Sequence, residues 1–533
     1  MRRGVSKKRE PDERRRCVER EGGGGSEKEK RREYNDAANG ADRSMRDAVD
    51  VAVVATYYTT LVLLTIYGLH RIHLVRLLQR VRHDGSGTWM SRARGELAQP
   101  ELPSWPEVTV QLPIYNEPNV VVRLIDAAAA LRYPGILQVQ VLDDSTDATS
   151  SIIAERVAHW ACRGVRIEQI RRESRDGFKA GALANGLARS TGDFFLLFDA
   201  DFVPPPDLLL QMMPYLGDER VGMVQARWGH LNRGESVLTR VQAIYLDGHF
   251  AVESTGRYFG RRLFNFNGTA GIWRRQAILD AGGWSASTLT EDLDLSYRAQ
   301  LAGWEFVFLP EIEVPAELPS TLAGFQCQQH RWAKGSIQTA RKILPEILRA
   351  SLPRAQKIES FFHLTNNAAY LLTLVLALLL VPALEIRYAR GLSPTLFVDA
   401  ALFALSTSSL VYFYAEGQRR LGLPRLRLGD LISIVPLGVG MSVRNAAAVL
   451  EGLFERGGYF ARTPKRGATT CAAASETRTW PIGEAILAAF YGVAATAFIA
   501  QGYVLALPFV ALFFVGYCYV VARWMMELCR AIY

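Results

Sequence analysis

Two carboxylates stand two residues apart at the end of an apolar run in DFFLLFDAD (193–201). So spaced, Asp199 and Asp201 can put one carboxylate on a divalent cation and the other on a ligand hydroxyl. Mg2+ or Mn2+ suits such a pair, because these ions use few protein carboxylates and complete their shell with phosphate oxygens and water. A polar turn closing a strand would look the same. A second acidic group, DDSTD (Asp143 to Asp147), closes the apolar run LQVQVLDD (137–144). A third opens a helical pattern in LTEDLDLSYRAQLAGWEF (289–306), with Thr290, Glu291 and Asp292 at its start. Thr followed by acids is a capping pattern, yet a carboxylate there can also take a proton from a hydroxyl. Finally, QQHRWAKGS (328–336) sets Gln328, Arg331 and Trp332 at i, i+3 and i+4, one face of a helix. That face is an interfacial anchor, part of a site, or both.

The elements that position these groups read as alternating strands and helices. PEVTVQLP (106–113), LQVQVLDD, VRIEQIRR and DFFLLFDAD have strand character. PNVVVRLIDAAAALRYP, TDATSSIIAERVAHWAC and KAGALANGLARS have helical character and lie between them. Such alternation predicts a parallel sheet, since each parallel pair needs a crossover. Ligands bind such sheets beyond the carboxyl ends of the strands, where Asp143, Asp144, Asp199 and Asp201 fall. No GxGxxG or Walker loop occurs, which argues against a dehydrogenase or a P-loop NTPase.

Around this stretch the composition changes. Of 533 residues 49% are hydrophobic, an average that settles nothing, but the apolar residues are clustered. Residues 48–70, two segments within 360–415 and two within 482–524 have the length and hydropathy of membrane crossings. The segment 97–318 has the composition of an α/β domain, 319–356 reads as amphipathic interface helices, and 428–470 as an interface or re-entrant helix followed by a loop. Of the net charge of +9, five come from residues 1–46, with fifteen Lys/Arg against ten Asp/Glu. That tail is Gly-rich and poor in core-forming residues, and is expected to be disordered. Met45, just ahead of the first apolar segment, is a candidate start. Six scattered cysteines give neither a disulfide framework nor zinc spacing. No nucleic-acid partner is indicated.

DDSTD, DAD, TED and QQHRW in this order resemble the family 2 inverting glycosyltransferases, the group of the cellulose, chitin and hyaluronan synthases. QLPIYNE, GFKAGALANGL, NFNGTAGIWRR and ELPSTLAGFQCQQHRW are most similar to the plant cellulose-synthase-like A and C group, of which the A members are mannan and glucomannan synthases. The resemblance implies an α/β GT-A glycosyltransferase domain inserted into an α-helical integral membrane protein. It implies that Asp144, with Pro113, Tyr115 and Glu117, holds the base and ribose of a nucleotide-diphosphate sugar. Lys179 and Gln328 would lie at the donor, and Asp199 and Asp201 would hold its diphosphate through Mg2+ or Mn2+. Asp292, within Thr290-Glu291-Asp292, would be the general base, and Arg331 would face the leaving diphosphate. Trp332, Trp284, Asn267 and Gly268 would meet the acceptor. Phe460, Thr463 and Lys465 match the FxxTxK gating loop of cellulose synthases, although Arg462 stands where those enzymes have Val.

The implied product is a β-linked glycan, β-1,4 by analogy, made from GDP-mannose or UDP-glucose on a growing β-glycan acceptor. Membrane lipids, and accessory export subunits, would be partners. The catalytic domain would be cytosolic, at a bacterial inner membrane or, in a eukaryote, the Golgi. Five crossings keep the FxxTxK loop on the side of the domain, and six would not. Rival readings are a single-sugar transferase acting on a lipid acceptor and an inactive membrane scaffold.

Overall fold

The computed structural model describes residues 27–83, 104–455, 457–458 and 480–532. It divides into two compact units at residues 55 and 56. The chain begins with a long helix, α1 (Glu27–His83). Residues 27–46 were expected to be disordered and are helical instead. The strong helix formers Glu, Lys, Arg and Ala there continue a helix already nucleated by the apolar segment behind them.

The inserted domain then follows as β1 (Val108–Ile114), α2 (Val121–Ala129), β2 (Leu137–Asp143), α3 (Thr149–Ala161), β3 (Arg166–Arg171), α4 (Phe178–Arg189) and β4 (Phe194–Leu197). Strands β3, β2, β1 and β4 pair side by side in parallel, as the alternation predicts. Six of the seven β1 residues are buried, as in a strand covered on both faces by helices. Valines 108 and 110, Leu112 and Ile114 pack with Leu124 and Ile125 of α2 on one side of the sheet. Leu183 and Leu187 of α4 close the other side against Phe195 and Leu197.

Beyond β4 the alternation ends and the sheet becomes mixed. The chain continues through α5 (Leu208–Met212), β5 (Val221–His230), α6 (Val237–Gly248), a π-helical turn (His249–Ser254) and α7 (Thr255–Phe259). Then come β6 (Gly271–Arg274), α8 (Arg275–Asp280), α9 (Glu291–Leu301) and β7 (Glu305–Ala316). The order is β3-β2-β1-β4-β6-β5-β7, with β6 antiparallel to both neighbours. Strand β4 is shorter than its apolar run, so Phe198 to Asp201 turn out past the carboxyl edge of the sheet. Ile114 lies opposite Asp143 in the register, which brings the ends of β1 and β2 to that same edge.

Helices α10 (Leu322–Arg349) and α11 (Arg354–Thr365) follow, then α12 (Ala368–Ala389), α13 (Leu396–Arg420), α14 (Leu428–Gly440), α15 (Ser442–Phe454), α16 (Ile482–Ala500) and α17 (Leu507–Ile532). Among the described residues five helices are long and apolar enough to cross a membrane: Ser44–Gln79, Ala368–Ala389, Ser393–Arg420, Ile482–Ala500 and Val504–Cys529. Helices α14 and α15 meet at a 45° bend, where the sequence reading placed an interface or re-entrant segment.

Two of the crossing helices share a buried charge pair. Arg387 of α12 donates to both Asp399 carboxylate oxygens, at 2.6 and 3.1 Å, and to Tyr58 Oη at 2.7 Å. The Tyr57 hydroxyl also donates to Asp399. Charged groups between membrane helices persist when paired. Replacing Asp399 with Ala strands a buried guanidinium, an effect of about 3–5 kcal/mol in buried pairs. A thermal scan in detergent is expected to register a clear drop in the unfolding temperature, and Asp399→Asn a smaller one.

Candidate active site

Helix α9 begins at Glu291, directly after Thr290. The Thr290 side chain makes no capping bond; its Oγ1 lies 3.2 Å from Thr339 Oγ1 on α10 instead. Asp292 accepts the Leu293 N–H at 2.8 Å. Its other oxygen faces Gly268, where a β-carbon would come within 2.8 Å. Gly268 also has φ +82, so glycine is required there both by backbone angle and by space. Burial and the neighbouring Glu291 carboxylate push the Asp292 carboxyl up to about 7, against the opposing pull of Lys179 and the Leu293 N–H. A carboxyl poised near neutrality is what proton abstraction from a hydroxyl at neutral pH calls for.

The Lys179 ammonium joins this base to the acids after β4. It donates to Asp199 Oδ1 at 2.5 Å and to the Gly268 carbonyl at 2.8 Å, and lies 3.8 Å from Glu291. Burial works against its charge, but Asp199, Glu291 and Asp292 outweigh that and raise its pKa. The Asp199 N–H donates to Thr269 Oγ1 at 2.9 Å. Segment 265–270 is the hub that holds the pieces in register. Gln225 of β5 accepts the Asn267 N–H at 3.0 Å and donates to the Thr269 and Ala270 carbonyls. Ser296 of α9 accepts the Phe266 N–H at 2.9 Å.

A cavity of ≈150 Å³ opens at this edge of the sheet. Every site residue assigned from the sequence within the described range lines it, with one exception. At its far end Asp144 is held by Arg172, at 2.9 and 2.5 Å. The Arg175 guanidinium lies 3.3 Å from the centre of the Tyr115 ring, a cation–π stack in the cavity wall. Asp199 and Asp201 share this cavity with Lys179 and Arg331. Among the described residues no three His, Cys, Asp or Glu side chains are grouped as a self-sufficient metal site. The two carboxylates suit an ion that takes its remaining ligands from a diphosphate and water. Asp199, already paired with the Lys179 cation, is a group that holds positive charge.

The exception is Trp284. Its indole packs on Trp273, with ring centres 6.3 Å apart, against the core that contains Phe306. It lines neither cavity described here. Thr463 and Lys465, with Phe460, lie outside the described residues.

The QxxRW face answers its alternatives by where it points. Arg331 lines the small cavity, whereas Gln328 and Trp332 line both it and a second cavity of ≈460 Å³. The second cavity starts at Asp292 and Asn267 and runs between α1, α6 and α12 to α14, past Tyr67, Tyr245, Tyr370 and Tyr414. Trp332 faces Trp228 of β5, ring centres 6.5 Å apart. Trp228, His249 and Asn265 were not singled out in the sequence. For Trp228 a signal existed, an aromatic at a strand end in QARWGH. Asn265 opens the quoted stretch NFNGTAGIWRR, whereas His249 had no signal.

Helix α10 comes this close because Gly335 lies against Thr290. A β-carbon at 335 would meet Thr290 Cγ2 at 2.6 Å, closer than real β-carbons approach. Gly335→Val is therefore expected to push Gln328 and Trp332 away from Asp292. Misplacement by a fraction of an ångström to an ångström costs about ten- to a hundredfold in rate. Under the transfer chemistry that the resemblance implies, initial rates should fall by that factor while donor affinity, measured by titration, changes far less.

Comparison with known proteins now decides the family. Residues 106–335 match the model described as glycosyltransferase like family 2. The inserted domain is a family 2 glycosyltransferase domain. The match runs from the start of β1 through the QxxRW face of α10. Glucomannan 4-beta-mannosyltransferase 2 of Arabidopsis thaliana is 43% identical over 289 residues, 52% of this chain and 54% of that protein. Glucomannan 4-beta-mannosyltransferase 1 of Cyamopsis tetragonoloba is 41% identical over 322 residues, 58% of this chain and 60% of that one. The chain thus spans about half the length of the curated relatives it matches. A mannosyltransferase of Pyrobaculum calidifontis, solved with GDP-Man and Mn2+, is 20% identical, with a TM-score of 0.49 over 76% of this chain and 98% of its own. The matched segment holds all seven strands of the mixed sheet, with the acids at the carboxyl edge of the parallel strands.

Proposed function

We propose that this protein is a membrane-embedded inverting hexosyltransferase that builds a β-1,4-linked mannan or glucomannan from a nucleotide-diphosphate sugar, with GDP-mannose as donor. One observation carries the reading. Asp292, raised toward neutrality, stands in the wall shared by a small acid- and lysine-lined cavity and a larger aromatic one between membrane-type helices. The relatives' names favour mannose over glucose as the transferred sugar.

In this reading the donor lies in the small cavity with its base against Tyr115 and Arg175. Asp292 takes the proton of an acceptor hydroxyl while that oxygen bonds to the anomeric carbon from the face opposite the diphosphate. The C–O bond to the diphosphate breaks in the same displacement, so an α-linked donor gives a β-linked product. Arg331 and Lys179 set fixed positive charge beside the leaving diphosphate, the kind of preorganised stabilisation that lowers such barriers most. A divalent cation held by Asp199 and Asp201 supplies further positive charge to the diphosphate when bound. Trp332 offers a flat apolar face to the acceptor sugar, and the tyrosines beyond it offer the same to sugars already added.

Membranes carrying the protein are expected to incorporate label from GDP-mannose and, at a tenth of the rate or less, from UDP-glucose. Equal or preferred use of UDP-glucose would move the protein to the glucan-making branch of the resemblance. A product confined to mono- or disaccharide lipids would favour the single-sugar reading instead.

A further inference from the structure

We propose that His249 is a positioning residue for sugar transfer, fixing the Asn267 amide so that its N–H side is the one offered to the acceptor sugar. The inference rests on the glycosyl-transfer reading above.

His249 is the first residue of the π-helical turn His249–Ser254 that joins α6 to α7. Wide turns of this kind inside helices occur often at functional sites. Here the turn places His249 in the wall of the larger cavity only, whereas Asn267 borders both cavities. The imidazole Nε2 lies 2.8 Å from Asn267 Oδ1, and Nδ1 lies 3.1 Å from Glu253 Oε2. The Asn265 amide nitrogen donates to the same Asn267 oxygen at 3.2 Å. With a proton on each ring nitrogen, Nδ1–H donating to Glu253 and Nε2–H to Asn267, two donors converge on Oδ1, and a flipped Asn267 amide would set nitrogen against nitrogen. With the oxygen committed, the Asn267 Nδ2 group keeps, among the described residues, a single long 3.5 Å contact with the Asn265 carbonyl. An amide so fixed presents a donor to a sugar oxygen, where a free one could present either end.

The surroundings of Glu253 explain its charge. It is buried, with Arg257 at 3.6 Å and Arg71 at 3.9 Å. Burial alone would raise its carboxyl, but Arg257, His249 and Arg71 hold it well below the usual range. With both ring nitrogens protonated, a permanent carboxylate accepting from Nδ1–H keeps the ring turned with Nε2–H toward Asn267. The next residue along, Gly268, touches Asp292, so the fixed amide sits one residue from the base.

The test uses the full chain in detergent, with GDP-mannose as donor and β-1,4-mannotetraose as acceptor. His249→Ala is expected to raise the KM for mannotetraose about tenfold or more, with kcat and the donor KM moving by less than threefold. His249→Gln, whose amide N–H can still reach Asn267, is expected to recover most of that loss. His249→Glu, an acceptor facing an acceptor, is expected to recover none. If the Ala variant does not fold, the contrast between Gln and Glu decides. A KM for mannotetraose that is the same in all variants, or a parallel fall of every kinetic parameter, overturns the proposal and leaves the transfer reading standing. Wild-type protein that hydrolyses GDP-mannose but never extends mannotetraose overturns the transfer reading, and this proposal with it.

Discussion

Replacing Asp292 with Asn is expected to reduce sugar transfer by about a hundred- to ten-thousand-fold, the range a positioned general base contributes. The side chain keeps its shape, so the packing against Gly268 and the bond from the Leu293 N–H survive. Stability should move the other way. The folded-state pKa of Asp292 is raised to about 7 by burial and by Glu291, so ionising it costs the folded state. That cost grows as pH rises from the ordinary aspartate range to about 7 and is complete above it. Asp292→Asn should therefore unfold at a higher temperature than wild type above pH 7, with the difference vanishing below about pH 4. Wild-type transfer should fall as pH drops through about 7, when the base becomes protonated. A variant that loses activity and stability together would instead make Asp292 a structural residue.

The second large effect is expected at Asp199. Asp199→Asn retains the N–H bond to Thr269 but removes the carboxylate that faces Lys179 and shares the cavity with Asp201. Transition-state charge stabilisation of this kind is worth several kcal/mol, so kcat/KM for the donor should fall by about a hundred- to a thousandfold. Removing divalent cations with EDTA should bring wild type close to the variant, and Mn2+ or Mg2+ should restore wild type alone. Nearly equal metal response in both proteins would separate Asp199 from the ion. Full activity in EDTA would leave Lys179 and Arg331 as the cations that serve the diphosphate.

Much of the site was legible because its parts sit at element ends. Asp144, Asp199 and Asp201 follow apolar runs, and a parallel sheet delivers such ends to one edge without further information. Thr290 to Asp292 and the QxxRW face were ambiguous locally, since capping and anchoring explain them as well. Contacts of Thr290 with Gly335 and Thr339, and of Asp294 with Lys342, put the two helices together, and a glycine in AKGS carries no address. Trp284 lies apart from both cavities, which its local sequence does not show. A tryptophan after two glycines fits a cavity wall or a core equally, and the ring it packs on, Trp273, lies on β6. His249, Glu253 and the larger cavity depend on packing among α1, α6, α7 and α11 to α14, which no local pattern encodes. The parallel half of the sheet was readable from alternation, whereas β6 entering antiparallel between β4 and β5 was not.

The central claim is that the two cavities joined at Asp292 extend a β-linked chain from activated sugar. It is tested most directly by supplying purified protein with labelled GDP-mannose and Mn2+, then sizing the product before and after digestion with an endo-β-1,4-mannanase. The account predicts a polymer of many residues that the enzyme cuts to small oligosaccharides, absent with Asp292→Asn. A product of one or two sugars, or a polymer that resists β-specific digestion but yields to an α-mannosidase, would contradict it.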